Sequence, residues 1–173
     1  GNYRAYLFED VLRRYMKYRG FRVTQVMNLT DVEDKIIRKA VENDCSIYEV
    51  TEPFQMAFFE DLDTLNIERA EHYPKATEHI EEMVQIIRQL RDAGYTYDKD
   101  GSIYFRISKF NNYGRLSGIR PDEVKVGARI DSDKYGKDDA RDFVLWKAHR
   151  EGEHFWETEF GEGRPGWHIE CTA

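Results

Sequence analysis

The sequence predicts an α/β fold in which the sheet is interrupted by an inserted, β-rich region. Three observations predict it. Helical and strand-like patterns alternate through the first 94 residues, the texture turns hairpin-like from residue 95, and a compact apolar strand returns at residue 143, followed by a glycine run. The 173 residues suit one domain of ordinary size, or one carrying an insertion. Hydrophobic residues at 40% and aromatics at 14% exclude a disordered chain. Four prolines and 34% charged residues argue against a linker-rich or collagen-like protein. The formal charge of −7 excludes a generally basic nucleic-acid coat but leaves room for a local basic patch. No apolar run approaches the roughly 18 residues that a membrane span needs. Two cysteines, Cys45 and Cys171, cannot build a disulfide framework and point to a reducing compartment.

The elements follow in order. Tyr3, Leu7, Val11 and Tyr15, with Phe8 and Leu12 beside them, recur at helical spacing over residues 3–19, and Gly20 stands where a left-handed cap would end that helix. Phe21, Val23 and Val26 make residues 21–27 a buried strand. Thr30 with Glu33 has the capping-box spacing, opening a helix with Val32, Ile36 and Ala40 on one face. Ser46 with Glu49 opens another, carrying Phe54, Phe58 and Leu62, which Pro53 should kink or break. Residues 72–74 connect to a helix capped by Thr77, running through Ile80, Val84, Ile87 and Arg91 and ended by Gly94.

Residues 95–107 read as a hairpin, with Ile103, Phe105 and Ile107 alternating and a turn at Asp100-Gly101. Residues 110–140 are irregular and polar, with a short helix expected after Pro121, and 143–146 form an apolar strand. The boundaries so drawn are 1–94 for the first part of the sheet domain, 95–141 for the insertion and 142–173 for the return. Gly1-Asn2 enters a helical pattern with no initiator Met, which suggests a piece of a longer protein.

Ligands of such sheets bind at the carboxyl ends of strands, which directs attention to residues 28–31 and 161–171. Asn2 at a helix start is an ordinary cap or a phosphate-facing position. In Asn28-Leu29-Thr30-Asp31-Val32-Glu33-Asp34-Lys35, three carboxylates and a lysine crowd one strand-to-helix turn, either complementing the helix dipole or binding a ligand. The tail Gly163-Arg164-Pro165-Gly166-Trp167-His168-Ile169-Glu170-Cys171 offers thiolate, imidazole and carboxylate, all zinc ligands. With no second cysteine nearby, the residues alone favour a buried, inert Cys171. Cys45 reads as incidental, His72, His79, His149 and His154 as surface or loop residues, and residues 131–142 as a solvated loop. No Ser/His/Asp order and no phosphate-binding P-loop is present.

Taken together, these segments resemble the cysteinyl-tRNA synthetases. Gly1-Asn2 is similar to the second half of the His-x-Gly-His/Asn signature of class I aminoacyl-tRNA synthetases. Residues 8–20, then Asn28 through Ile37, Asp142-Phe143-Val144-Leu145-Trp146-Lys147 and the Arg-Pro-Gly-Trp-His-Ile-Glu-Cys core of residues 161–173 carry the rest, so the likeness spans essentially the whole chain. It implies a Rossmann-like parallel sheet, interrupted by a connective region with a β-hairpin. The implied activity is that of an ATP-dependent cysteine–tRNA ligase, which forms cysteinyl-adenylate and transfers cysteine to the 3′ end of tRNA(Cys).

The resemblance further implies one zinc per full-length chain, gripping the substrate thiolate through a set that includes Cys171, and Mg with ATP. Gly1 and Asn2 match the nucleotide side, and Thr30 and Trp167 match positions beside the bound cysteine. No residue is assigned to the chemical step itself, and neither His168 nor Glu170 receives a ligand role. A cytoplasmic monomer that binds tRNA(Cys), cysteine and ATP, and no membrane, completes the expectation. The family's other zinc ligands, the first His of the signature, the lysine-rich ATP loop and an anticodon-binding domain are not in these residues, so the chain is expected to be inactive alone. Two alternatives stand beside it: a related ligase joining cysteine to a pseudo-disaccharide amine, and a truncated, non-catalytic binding module.

Overall fold

The computed structural model describes residues 2–116, 118 and 141–173. They divide into two units, Gly1–Glu78 and His79–Ala173.

The first unit opens with α1 (Tyr3–Tyr18). Gly20, at φ +88°, ends it in a Schellman pair, its N–H donating to Lys17 O and that of Phe21 to Met16 O. The predicted helix is there, but its orientation is the reverse of the one its pattern suggests. Phe8, Val11 and Tyr15 are exposed, whereas Asp10 and Arg13 are buried, because the side of α1 that meets the rest of the unit is held by charge pairs. The expected buried strand over residues 21–27 is also not formed. Val26 makes one parallel bridge to His72 and Leu29 one to Lys75, while Phe21 and Val26 remain exposed. Residues 71–76 are the neighbour that this run pairs with among the described residues, so its other edge and one face lie uncovered.

α2 (Asp34–Glu42) starts later than the Thr30–Glu33 spacing suggests. Glu33 is its N-cap, without a side-chain bond, and the expected capping box is absent. Val32, Ile37 and Ala40 are buried, and Ile36 is only half-buried. By contrast, the second box forms as read: Glu49 N–H donates to Ser46 Oγ at 3.2 Å, and Ser46 N–H to the Glu49 carboxylate at 2.8 Å. α3 (Ile47–Thr64) then runs through Pro53 without a break. A proline inside a helix removes one i→i−4 bond, and the bonds on either side carry the helix across. α2 and α3 pack together, with Ile47, Val50 and Leu62 buried. α3 ends in another Schellman pair with Asn66 at φ +55° in the left-handed position.

Thr77, the penultimate residue of the first unit, is not the cap of the next helix. It lies in the preceding 3-10 turn Ala76–Glu78, and α4 (Ile80–Asp92) begins after His79. Met83 and Ile87 on α4 are fully buried. β1 (Thr96–Lys99) and β2 (Ser102–Phe105) form the predicted hairpin. Its two-residue loop has Asp100 at φ +51° and Gly101 at +75°, the type I′ signature that matches strand twist. β3 (Phe143–Ala148), β4 (Trp156–Thr158) and β5 (Gly161–Pro165) follow, and α5 (Trp167–Glu170) comes last. Ile107, expected in the strand, lies in a short 3-10 turn. The helix expected after Pro121 lies outside the described residues.

The sheet order is β1-β2-β3-β5-β4, and every pairing is antiparallel. This corrects the expected parallel, Rossmann-like sheet. Parallel pairing among the described residues is limited to the two bridges of the first unit. The reason is connectivity: two-residue loops join β1 to β2 and β4 to β5, and such loops can only reverse a strand, whereas parallel neighbours need a long crossover. β3 is central, with Val144, Leu145 and Trp146 buried, and its neighbour β2 is buried along its whole length.

β5 and the residue after it approach β3 so closely that Gly163 and Gly166 have no room for a methyl group. A Cβ on Gly166 would lie 2.0 Å from Val144 O, and one on Gly163 would lie 2.3 Å from Lys147 O and 2.4 Å from Trp146 Nε1. Backbone must therefore move to admit alanine at either position. We expect Gly166→Ala and Gly163→Ala each to destabilise the fold by about 1–3 kcal/mol, the usual range for overpacking. Thermal unfolding checks it, and an unchanged midpoint for both would contradict the close approach.

Candidate functional site

Residues 25–31 are laid against residues 71–77 by a short parallel ladder. His72 N–H reaches Gln25 O at 3.3 Å, Met27 N–H reaches His72 O at 3.0 Å, Leu29 N–H reaches Pro74 O at 2.8 Å and Ala76 N–H reaches Leu29 O at 3.1 Å. Each end is fastened by charge. At the first, buried Arg13 donates to Gln25 Oε1 at 3.0 Å, to Arg69 O at 2.7 Å and to the Glu71 carboxylate, which also accepts from Gln25 N–H at 2.7 Å. Asp10 accepts from Glu68 N–H at 2.9 Å and from Arg14 at 2.7 Å. At the other end, Asp31 accepts from Thr77 N–H at 3.0 Å and from its hydroxyl at 2.7 Å.

This arrangement sets the titration of the acids. Burial pushes the Asp10 carboxyl up, but hydrogen bonds from Arg14 and the Glu68 amide, with the Arg14 and Arg13 charges, outweigh it and hold the group below its ordinary range. Glu68 is lowered by its bond from Lys17, and Glu71 by the Gln25 amide. On the α1–α3 side, the Tyr3 hydroxyl donates to Asp61 at 2.6 Å, and that bond to a carboxylate raises its pKa to about 12.

Thr30 lies between the two fastenings with its side chain exposed, its Oγ1 3.5 Å from Asn28 Nδ2. It borders a cavity of about 380 Å³ between α2 and α3, whose walls include Leu29, Ile36, Val50, Phe54 and Phe58, with Lys35 and Lys39 also lining it. Lys39 Nζ sits 4.9 Å from the centre of the Phe54 ring. Asn2 stands at the N-cap of α1, its side chain making no capping bond, so the ordinary-cap reading of that residue does not hold. Gly1 lies outside the described residues.

In the second unit, α5 is anchored by buried Ile169 and Glu170 and presents Trp167, His168 and Cys171 outward. Trp167, 66% exposed, stacks on His168 at 6.0 Å, and His168 meets Phe143 edge-on at 4.9 Å. Cys171 is the C-cap of this turn and is exposed, which overturns the expectation of a buried, inert thiol. The structure thus brings Trp167 and Cys171 together on one helical turn, and sets Thr30 and Asn2 in the first unit. His149 and His154 are half-buried rather than superficial: His149 packs at 4.3 Å on Phe155 with Nδ1 3.3 Å from Glu162, and burial lowers the His154 pKa. The fastenings at Arg13 and Asp31 had no signature in the sequence beyond the i, i+4 pair Asp10–Arg14, since their partners, Gln25 apart, lie 46–58 residues away.

Residues 1–173 match in full the family described as tRNA synthetases class I (C) catalytic domain. The chain belongs to that family. Among its relatives, the cysteine–tRNA ligase of Leptospira interrogans serogroup Icterohaemorrhagiae serovar Lai (strain 56601) is 55% identical over 174 residues, covering 100% of this chain. That of Brachyspira hyodysenteriae is 50% identical over 177 residues, again covering 100%, and that of Chlamydia muridarum is 49% identical over 176 residues, covering 99%. The chain spans 37% of the length of each.

For a class I (C) synthetase domain the metal question turns on the donors present. One exposed thiol at Cys171 suits zinc by its softness, yet among the described residues no group of three or more His, Cys, Asp or Glu could hold a metal ion. These residues therefore do not make a metal site by themselves. No helix among the described residues is long and apolar enough to cross a membrane.

The lowered carboxyls bear on acid stability. A group whose folded pKa is depressed stabilises the fold above its unfolded value, about 4, and that contribution is lost as pH falls through the folded value. Asp10→Asn should therefore lower the unfolding temperature at pH 7, and its deficit against the parent should shrink below about pH 4. Melting curves between pH 7 and pH 3 check this, and a deficit independent of pH would exclude the Asp10 charge as its source.

Proposed function

We propose that the chain is part of the catalytic domain of a cysteine–tRNA ligase, which activates cysteine with ATP and passes it to the 3′ end of tRNA(Cys) in the cytoplasm, as a monomer. The observation that carries the reading is about 50% identity over the whole chain to proteins of that name, together with the family match over residues 1–173. Residues 95–141 are read as an inserted connective region between two parts of that domain, residues 1–94 and 142–173.

In this reading Gly1 and Asn2 face the nucleotide. A helix start is favourable to phosphate because its free N–H groups and dipole attract negative charge, and the Asn2 side chain is not engaged in capping α1. Adenylation needs no covalent enzyme intermediate. A carboxylate oxygen of cysteine attacks the α-phosphorus and pyrophosphate leaves, so the protein's task is to hold the two in line and to stabilise phosphate charge, with Mg accompanying ATP. Thr30 and Trp167 would stand beside the amino acid, a role supported by the exposure of both side chains.

Cys171 would supply one thiolate ligand to zinc, with the remaining ligands coming from outside the described residues. Bound zinc supplies a soft acceptor for the substrate thiolate, a term that serine cannot match. That preference matters because a pocket rejects a near-isostere by only about 10²-fold through shape.

The test is cysteine-dependent ATP–pyrophosphate exchange by a polypeptide that supplies the full length of the relatives. We expect activity there and none from residues 1–173 alone. Cys171→Ser should abolish bound zinc and cysteine activation while leaving the circular dichroism spectrum unchanged. Trp167→Ala should raise the KM for cysteine on the order of tenfold and that for ATP far less. Unchanged cysteine kinetics in both variants would refute the assignment.

A further inference from the structure

We infer that Asp31 and Thr77 act as positioning residues for Thr30, an inference that rests on Thr30 standing beside the bound cysteine. Asp31 is 3% exposed, and carboxylates are rarely so buried unless they are paired. Its two oxygens are taken by two donors from a single residue, the Thr77 amide at 3.0 Å and the Thr77 hydroxyl at 2.7 Å. Two bonds to one partner fix a carboxylate in both place and rotation, as one bond does not.

On the other side of Thr30, Leu29 is equally bound. Its N–H donates to Pro74 O at 2.8 Å and its carbonyl accepts from Ala76 N–H at 3.1 Å. Residue 30 is thus suspended between two points, 29 and 31, both tied to residues 74–77. Its own side chain remains exposed at the border of the α2–α3 cavity. Backbone rigidity at this place serves no burial of Thr30 itself. It serves the direction in which an exposed hydroxyl is aimed, and catalytic and binding geometry tolerates little drift of that kind.

The experiment is a double-mutant cycle by cysteine-dependent pyrophosphate exchange, in a polypeptide of the relatives' full length. Thr77→Val keeps the shape and the amide bond while removing the hydroxyl donor. It should raise the KM for cysteine on the order of tenfold with the KM for ATP within twofold, and Thr77→Ser should restore it. In a Thr30→Ala background Thr77→Val should add nothing, because the group it aims is gone. Should Thr77→Val fail to fold, Asp31→Asn, which keeps an oxygen for the Thr77 amide, replaces it in the cycle. A full tenfold effect persisting in the Thr30→Ala background, or an equal rise in the KM for ATP, would show general loosening and overturn the inference. So would a silent Thr77→Val beside a damaging Thr30→Ala. If Thr30→Ala itself leaves cysteine kinetics untouched, the reading of Thr30 fails, and the inference falls with it.

Discussion

The first unit depends on a buried guanidinium. Arg13 sits on the inward side of α1, where an amphipathic helix ordinarily places a large apolar residue, and from there it reaches Gln25, Arg69 and Glu71 at once. A buried cation needs partners for its donors. Here an amide oxygen, a backbone carbonyl and a carboxylate take three of them, while Nε, buried without a hydrogen bond, lies 3.5 Å from the Glu68 carboxylate. The consequence is topological. Segments more than forty residues apart in sequence are registered against each other at one end by this cluster and at the other by Asp31 with Thr77. Between those ends runs a ladder of only two parallel bridges, too short to set register by its own hydrogen bonds.

The second unit solves a different problem by close approach. β5 must lie on β3 near Trp146, the largest fully buried side chain, and then release the chain into α5. Glycine at 163 and 166 lets backbone meet backbone there. Buried Ile169 and Glu170 hold the short helix down so that Trp167 and Cys171 face outward. An indole and a thiol exposed on one turn, above a rigid antiparallel sheet, form a platform whose chemistry is set by what approaches it.

Several local readings survived because they involve few residues close in sequence. Ser46 with Glu49, the Asp100-Gly101 turn and the glycine stops at 20 and 94 each settle their structure within about six residues. Thr30 with Glu33 has the same spacing as Ser46 with Glu49 and yet forms no box. The difference is tertiary: Asp31 is drawn to Thr77, Glu33 is extended, and the helix is delayed to Asp34. Thr77, engaged by Asp31, in turn leaves the start of α4 to His79.

By itself the sequence determined the positions of the helices, the hairpin and its turn, and the family to which the chain belongs, since those follow from spacing, turn chemistry and a distinctive tail motif. It also named the residues that the proposed site uses. Only the tertiary structure decided which face of α1 is inward, that the sheet runs antiparallel, and that Cys171 is open to solvent rather than sealed. The first rests on pairings across 46–58 residues, the second on two-residue connections between strands, and the third on buried Ile169 and Glu170 holding α5. Periodicity reports only that a helix has an apolar side. What covers that side is settled by partners far along the chain.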